Sequence, residues 1–273
     1  MELTLAHSPD ADDAFMFYAL AEGLIDTGGY VFTHVLRDIE SLNRAALNGT
    51  YDISAISFHA YPHVADQYLL LSCGASVGDG YGPLVVVREG FPDGAELPEV
   101  AVPGELTTAY LVLKLWQPEI KTRVVPFDRI AGAVRAGEVA AGLLIHEGQL
   151  TYRREGLKKV VDLGEWWQRE TGLPLPLGGN VLHRRHYQRA QAIANLLREA
   201  IAYALAHRDE GVRHALRYAR GLDAAGAARF IGMYVNDWTL DLGETGRRAV
   251  EALLARGAAA GLVPACPGLA WVD

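Results

Sequence analysis

A histidine at the end of an apolar run is the point in the chain best suited to chemistry. Ala140-Ala141-Gly142-Leu143-Leu144-Ile145 reads as a short buried strand that delivers His146, with Glu147 and Gly148 after it. Open α/β sheets bind ligands outside the carboxyl ends of their strands, and imidazole titrates near neutral pH. The placement predicts a proton-transfer residue facing a cleft. The competing reading is a histidine that caps the strand or bonds a loop carbonyl. Thr107 and Thr108 follow Pro103-Gly104 and open a helical segment. Free N–H groups and hydroxyls there can hold an anion, and the same geometry serves plain capping by Thr107.

Other reactive types carry weaker signals. Asp10, Asp12 and Asp13 surround the start of a helical segment from Ala11 to Ile25. Carboxylates there complement the helix dipole, so N-capping is the expected role. A Mg²⁺ or Ca²⁺ site needs further oxygen ligands that the neighbouring residues do not supply. His59 and His63 have the spacing of metal-binding helices, but Ala60 stands where zinc proteases carry Glu, and Pro62 marks a helix only starting. No metal site is expected. Gly78-Asp79-Gly80-Tyr81-Gly82 lacks the dinucleotide spacing and a following Lys-Ser/Thr pair. It reads as a tight connection that lines the cleft.

The elements that must position these groups alternate. Leu3 to Ala6, Val31 to Leu36 and Asp52 to Ser57 read as strands, with helices over Ala11 to Ile25 and Ile39 to Leu47 between them. That order implies parallel strands with helical crossovers. Leu84 to Val87, Glu99 to Val102, Lys121 to Pro126 and the strand before His146 form a second set, with helices over Ala109 to Trp116 and Ile130 to Ala136. Arg153 to Lys159 reads as basic solvated surface, and Val160 to Leu163 as an edge strand. Trp166 and Trp167 read as core or interface packing. Leu173 to Leu177, with Pro174 and Pro176, is extended, and Gly178 to Leu182 is a strand returning to the first set. Helices then fill Tyr187 to Arg208, Gly211 to Arg220, Ala224 to Tyr234 and Gly243 to Gly257, and Cys266 to Asp273 is a tail. His183 and His186, among arginines, are expected to be exposed.

This pattern predicts an α/β protein of two lobes around a central cleft. The first lobe takes residues 1–88 plus 180–273 and the second residues 89–179, with crossings near 84–90 and 174–182. Clefts between lobes are the usual place for small-molecule sites. The 273 residues carry a formal net charge of −8, which disfavours nucleic acid and anionic membranes as partners. It leaves room for a small anion held by local N–H groups. The two cysteines, Cys73 and Cys266, have no pairing motif and read as free thiols. Met1 to Leu20 has no basic n-region, and no stretch is apolar enough to span a membrane. A cytoplasmic protein is expected.

Several stretches together resemble the 1,4-dihydroxy-6-naphthoate synthase family of menaquinone biosynthesis. They are His7-Ser8-Pro9 through Phe15-Met16-Phe17, Tyr51 to Ser57, Gly78 to Val87, Ile145 to Gly148, and Gly178-Gly179-Asn180. One departure is present: the family often has Ser-Pro-Cys-Pro-Asn-Asp where this chain has Ser8-Pro9-Asp10-Ala11-Asp12-Asp13. The resemblance implies a type II periplasmic-binding-protein fold and a lyase acting on cyclic dehypoxanthinyl futalosine, a small anionic substrate. Dihydroxyacetone would leave and the aromatic dihydroxynaphthoate remain, with no redox cofactor and no metal. It also implies that the general base is His146. Ser54, Ala55, Ile56 and Ser57 are then placed to bond sugar-derived hydroxyls, Thr107 and Thr108 to hold a carboxylate or hydroxyl, and Asn43 to reach the cleft. The alternatives are a non-catalytic anion-binding protein of the same fold and the chorismate dehydratase of the same pathway.

Overall fold

The chain is described by a computed structural model over residues 1–266 and 268–273. In chain order its strands are β1 (Glu2–His7), β2 (Val31–Leu36), β3 (Ile53–Ser57), β4 (Tyr68–Leu71), β5 (Ser76–Gly78), β6 (Leu84–Arg88), β7 (Val100–Val102), β8 (Thr122–Val124), β9 (Ala141–Leu144), β10 (Leu157–Asp162), β11 (Leu175–His183) and β12 (Trp271–Val272). They form two sheets. The first has the order β12-β4-β11-β3-β1-β2, with β5 added beside β11, and the second has the order β10-β6-β9-β7-β8. β1 runs parallel to β2 and to β3, as helical crossovers require. β11 comes back antiparallel to β3 and β4. In the second sheet β7 is parallel to β8 and β9, while β6 lies antiparallel to β9 and β10.

The sheet pairings move one expected boundary. β6 belongs to the second sheet, so the chain leaves the first sheet after Gly78 and residues 84–88 are not part of the first lobe. The physical reason is burial: Leu84, Val85, Val86 and Val87 are all enclosed, as a central strand with partners on both edges must be. Return comes early too. Leu175 and Pro176 already pair with β5, so the extended proline segment is the start of β11.

Local corrections follow the same logic. The helix expected over Ala11 to Ile25 breaks at Phe17 into Ala11–Met16 and Tyr18–Ala21. Every residue of its first piece is buried, so the amphipathic spacing of a surface helix does not apply. Leu157 is buried and Leu157–Asp162 is a strand at the edge of the second sheet, so the basic run is only partly surface. Lys158 and Lys159 point outward to Asp93 and Glu165 at 2.6 and 2.9 Å. The strand expected over Lys121 to Pro126 shrinks to Thr122–Val124. β4 and β5 were not anticipated, and Trp271–Val272 of the expected tail pairs with β4; residue 267 of that tail lies outside the described residues.

His183 and His186 are half-buried rather than exposed. His186 Nε2 lies 2.6 Å from Asp52 Oδ1, and Asp52 also takes Arg185 at 2.8 Å and the N–H of Thr4 at 2.8 Å. Burial alone would raise the Asp52 pKa, but the donors from Thr4, His186 and Arg185 outweigh it and hold the carboxyl well below its usual range.

The helix Ala190–Ala206 lays Ile193, Leu197, Ile201 and Ala204 on the first sheet at helical spacing. Gly211 lets the helix Arg208–Ala215 approach Phe15, since a Cβ there would lie 2.7 Å from that ring. Trp167 is fully buried and donates to the Pro174 carbonyl at 3.1 Å, which makes it the core residue of the tryptophan pair. Each large apolar side chain enclosed in this way contributes about 1.5–3 kcal/mol. No helix among the described residues is long and apolar enough to cross a membrane.

Candidate active site

A cavity of about 750 Å³, counted to its open mouth, lies where both sheets end. Its wall takes the loop after β1, the end of β3, the loop after β9, the start of the helix Thr108–Trp116, and Leu177 to Gly179 of β11.

His146 enters from the second sheet. Gly142 allows the helix Ile130–Ala136 to close on β9, because a Cβ there would sit 2.4 Å from Ile130. The chain then kinks: His146 has φ +53°, the one non-glycine residue in the left-handed region among the described residues. Such a conformation costs on the order of 1 kcal/mol or more and persists only where surroundings enforce it. Here the His146 carbonyl accepts from the N–H of Gln149 at 3.1 Å. The ring stands edge-on to Phe127, centroids 5.2 Å apart, and Arg220 covers Phe127 at 4.8 Å. Nδ1 lies 3.1 Å from Asp10 Oδ2, and Nε2 has no partner in the protein.

The loop after β1 supplies the acids. Asp10 is fully buried; its Oδ2 accepts from the Ser8 hydroxyl, and its Oδ1 has only Arg220 at 3.4 Å. Although Asp10 stands at the helix N-cap position, its side chain makes no cap bond. Asp13 Oδ2 accepts from the Ser8 N–H at 2.6 Å. Asp12 Oδ1 and Glu147 Oε1 are buried without partners. Burial, followed by Asp13, Asp10 and Glu147, pushes the Asp12 carboxyl well above its ordinary range. Burial and Asp10 push Asp13 up to about 7, against the pull of the Ser8 N–H and His146. Glu147 rises through burial and Asp10. With its pKa at about 7, Asp13 is shared between its acid and carboxylate forms near neutral pH and can donate as well as accept. The expected capping role for these aspartates is corrected: their side chains turn to Ser8, His146 and the cavity, not to the helix N–H groups.

The predicted residues divide. Ala55, Ile56 and Ser57 line the cavity, and Thr107 and Thr108 face them. Ser54 is fully buried, outside the wall, with its hydroxyl on the Ala55 carbonyl at 3.0 Å. It lies one residue further from the carboxyl end of β3 than the part of the strand that forms the wall. Asn43 is also fully buried outside the wall. Its Oδ1 accepts from the Ser57 N–H at 2.8 Å and its Nδ2 donates to Ser57 Oγ at 3.1 Å and Leu106 O at 3.2 Å. It supports Ser57 from behind.

Thr107 does cap, accepting from the Tyr110 N–H at 3.2 Å and donating to Gly104 O at 2.8 Å. Thr108 donates to Leu177 O at 2.5 Å and accepts from the His59 N–H at 3.2 Å. Both hydroxyls are committed, so any anion here meets the first-turn N–H groups of Thr108 and Ala109. His59 holds the Thr107 carbonyl at 3.0 Å and stacks on Tyr110, with the His63 ring edge-on to it at 6.5 Å between centroids.

Sequence reading missed Ser8 and the aspartates as wall residues, and with them Gln149, Phe230 and Tyr234. Tyr234 donates to Gln149 Oε1 at 2.7 Å. The density of acid in the first loop was a usable signal, since a cap needs only one carboxylate. Tyr234, far along the chain, left none.

Comparison with known proteins places this cavity among relatives. A family model described as menaquinone biosynthesis matches residues 3–259. A protein of Thermus thermophilus named 1,4-dihydroxy-6-naphthoate synthase is 43% identical over 97% of this chain and 97% of its own. A crystal structure of an Archaeoglobus fulgidus protein is 47% identical, covers 96% of this chain and 98% of its own, and superposes with a TM-score of 0.89. A Candida albicans protein described as having the generic periplasmic binding protein fold superposes with a TM-score of 0.73 at 13% identity, covering 98% and 92%. The two-lobed fold is thus of the periplasmic-binding-protein type.

Proposed function

The chain belongs to the menaquinone-biosynthesis family, and on that premise we propose that it is a lyase of the 1,4-dihydroxy-6-naphthoate synthase kind. Its substrate is cyclic dehypoxanthinyl futalosine, and its products are 1,4-dihydroxy-6-naphthoate and dihydroxyacetone. One observation carries the reading: a strained histidine whose Nε2 lacks a partner stands in the wall of the cavity. Buried polar atoms normally find partners, so a bound molecule is the natural complement to that nitrogen.

His146 Nε2 removes a proton from carbon next to a ketone, the ring opens, and elimination releases dihydroxyacetone as the remaining ring system becomes aromatic. Imidazole is the side chain most often used as a general base in such transfers. The substrate carboxylate lies at the N–H groups of Thr108 and Ala109, where the helix dipole favours an anion. Ser57, Asp12 and Asp13 bond the sugar-derived hydroxyls. The upward shifts of Asp12 and Asp13 also lessen the repulsion that an anionic substrate meets there. Two free cysteines, Cys73 and Cys266, suit a reducing cytoplasm as the site of the reaction.

A purely binding role leaves the backbone strain at His146 and the upward-shifted acids without a purpose. The test is incubation of folded protein with cyclic dehypoxanthinyl futalosine, following naphthoate absorbance and free dihydroxyacetone together. Equimolar appearance of both is expected. Folded protein that binds the compound and releases neither would overturn the reading.

A further inference from the structure

A neutral imidazole carries one proton, and the partner of one ring nitrogen decides which nitrogen is left basic. In this protein a buried carboxylate from the other lobe stands in close contact with Nδ1. Asp10 Oδ2 lies 3.1 Å from His146 Nδ1 and accepts from the Ser8 hydroxyl at the same oxygen. Arg220 stands 3.4 Å from Asp10 Oδ1. Asp10 is fully buried and occupies an N-cap position without capping. The helix therefore does not explain where its side chain points, whereas the histidine does.

We propose that Asp10 is a positioning residue for the base: it takes the Nδ1–H of His146, leaves Nε2 unprotonated toward the cavity, and is itself held by Ser8 and Arg220. Arg220 contributes twice, since it also covers the Phe127 ring against which the imidazole stands edge-on. Phe127 thus flanks the ring on one side and Asp10 meets it on the other. Asp13 and Glu147 also face the pair electrostatically, but neither comes into ion-pair contact with the imidazole. The family pattern often has Cys where this chain has Asp10, so the pairing belongs to this chain's own first loop.

Only the kinetic arm of the test rests on the proposed function. Long-range ¹H–¹⁵N spectra of the full ¹⁵N-labelled protein at pH 8 report the tautomer of His146, assigned by the signal that His146→Gln removes. The expected result is the neutral Nδ1–H form. In Asp10→Asn the amide oxygen stays with Arg220 at the Oδ1 position and the NH₂ takes the Oδ2 position, where it donates to Nδ1 while the Ser8 hydroxyl turns to other partners, so the proton moves to Nε2. Turnover of cyclic dehypoxanthinyl futalosine should then fall roughly 10²- to 10⁴-fold in kcat, the scale of the tautomer error known for a buried Asp–His pair. KM should change by no more than about threefold, since ground-state contacts are kept.

A wild-type His146 in the Nε2–H form, or Asp10→Asn with tautomer and kcat unchanged, overturns the proposal. If Asp10→Asn fails to fold by circular dichroism, the wild-type tautomer alone decides. If the Nδ1–H form is found but the futalosine compound is not turned over, the proposed function fails and the role of Asp10 stands.

Discussion

Asp52 and the acids of the Asp10–Asp13 loop sit at opposite ends of adjoining strands. Asp52 immediately precedes β3 and bonds Thr4 of β1, whereas the loop follows His7 where β1 ends. Asp52 is saturated: Thr4, Arg185 and His186 all reach it. At the other end Asp12 Oδ1, Glu147 Oε1 and His146 Nε2 are buried without partners. The same residue type is thus driven in opposite directions, downward in pKa at Asp52 and upward at Asp12 and Asp13. The difference marks one end of the sheet as built for stability and the other as held ready for something outside the chain. Polar groups left unsatisfied at the carboxyl ends of strands are where an α/β sheet keeps its site.

The contrast breaks first at His146. His146→Ala should lower kcat on cyclic dehypoxanthinyl futalosine by roughly 10²- to 10⁴-fold, the usual worth of a general base. Affinity for the compound by calorimetry should be largely kept, and undiminished turnover would place the base elsewhere. Asp52→Ala should leave kcat alone and lower unfolding free energy by about 1–2 kcal/mol at pH 7, a figure discounted because Arg185 and part of the carboxylate face solvent. With its folded pKa far below the unfolded value of 3.8, Asp52 stabilises fully above that pH and loses its effect only as pH falls on toward the folded value. The gap between wild type and variant in urea melts should begin to narrow below about pH 4 and still be open at pH 3.

The smallest effect has the opposite sign. Asp12 and Asp13 have folded pKa values above the unfolded value of 3.8, so their contribution is present below about pH 4 and is lost as pH rises. For Asp13 the window runs from there to about 7. Asp12→Asn should raise unfolding free energy by about 1 kcal/mol at pH 8 and do little at pH 4. A destabilised Asp12→Asn protein at pH 8 would show that the acid end is not under tension after all.

The general address of the site was legible. An apolar run ending in His146 and a strand ending in Ser57 announced a cleft between two sheets, because burial and strand ends are local properties of sequence. Direction was not legible. Asp10 and Asn43 show why: the sequence places each on the correct element but cannot say whether the side chain turns to its own helix, to a neighbour or to the cavity. Ser54 shows the simplest form of the problem, one residue short of the wall. β4 escaped because Tyr68–Leu71 is a four-residue apolar run buried on both faces, with no alternation to reveal it.

The contact between Asp10 and His146 has a mechanical side. Asp10 comes from the first sheet's loop and His146 from the second's, and Tyr234 to Gln149 is a second tie across the same gap. Near Thr108 the two halves are joined more heavily, through Leu177, His59 and Asn43. If the halves parted, the lightly tied side would be the one to give. Parting there would draw Asp10 off the imidazole, so on the role proposed for His146 the base would be oriented only while the two halves are together.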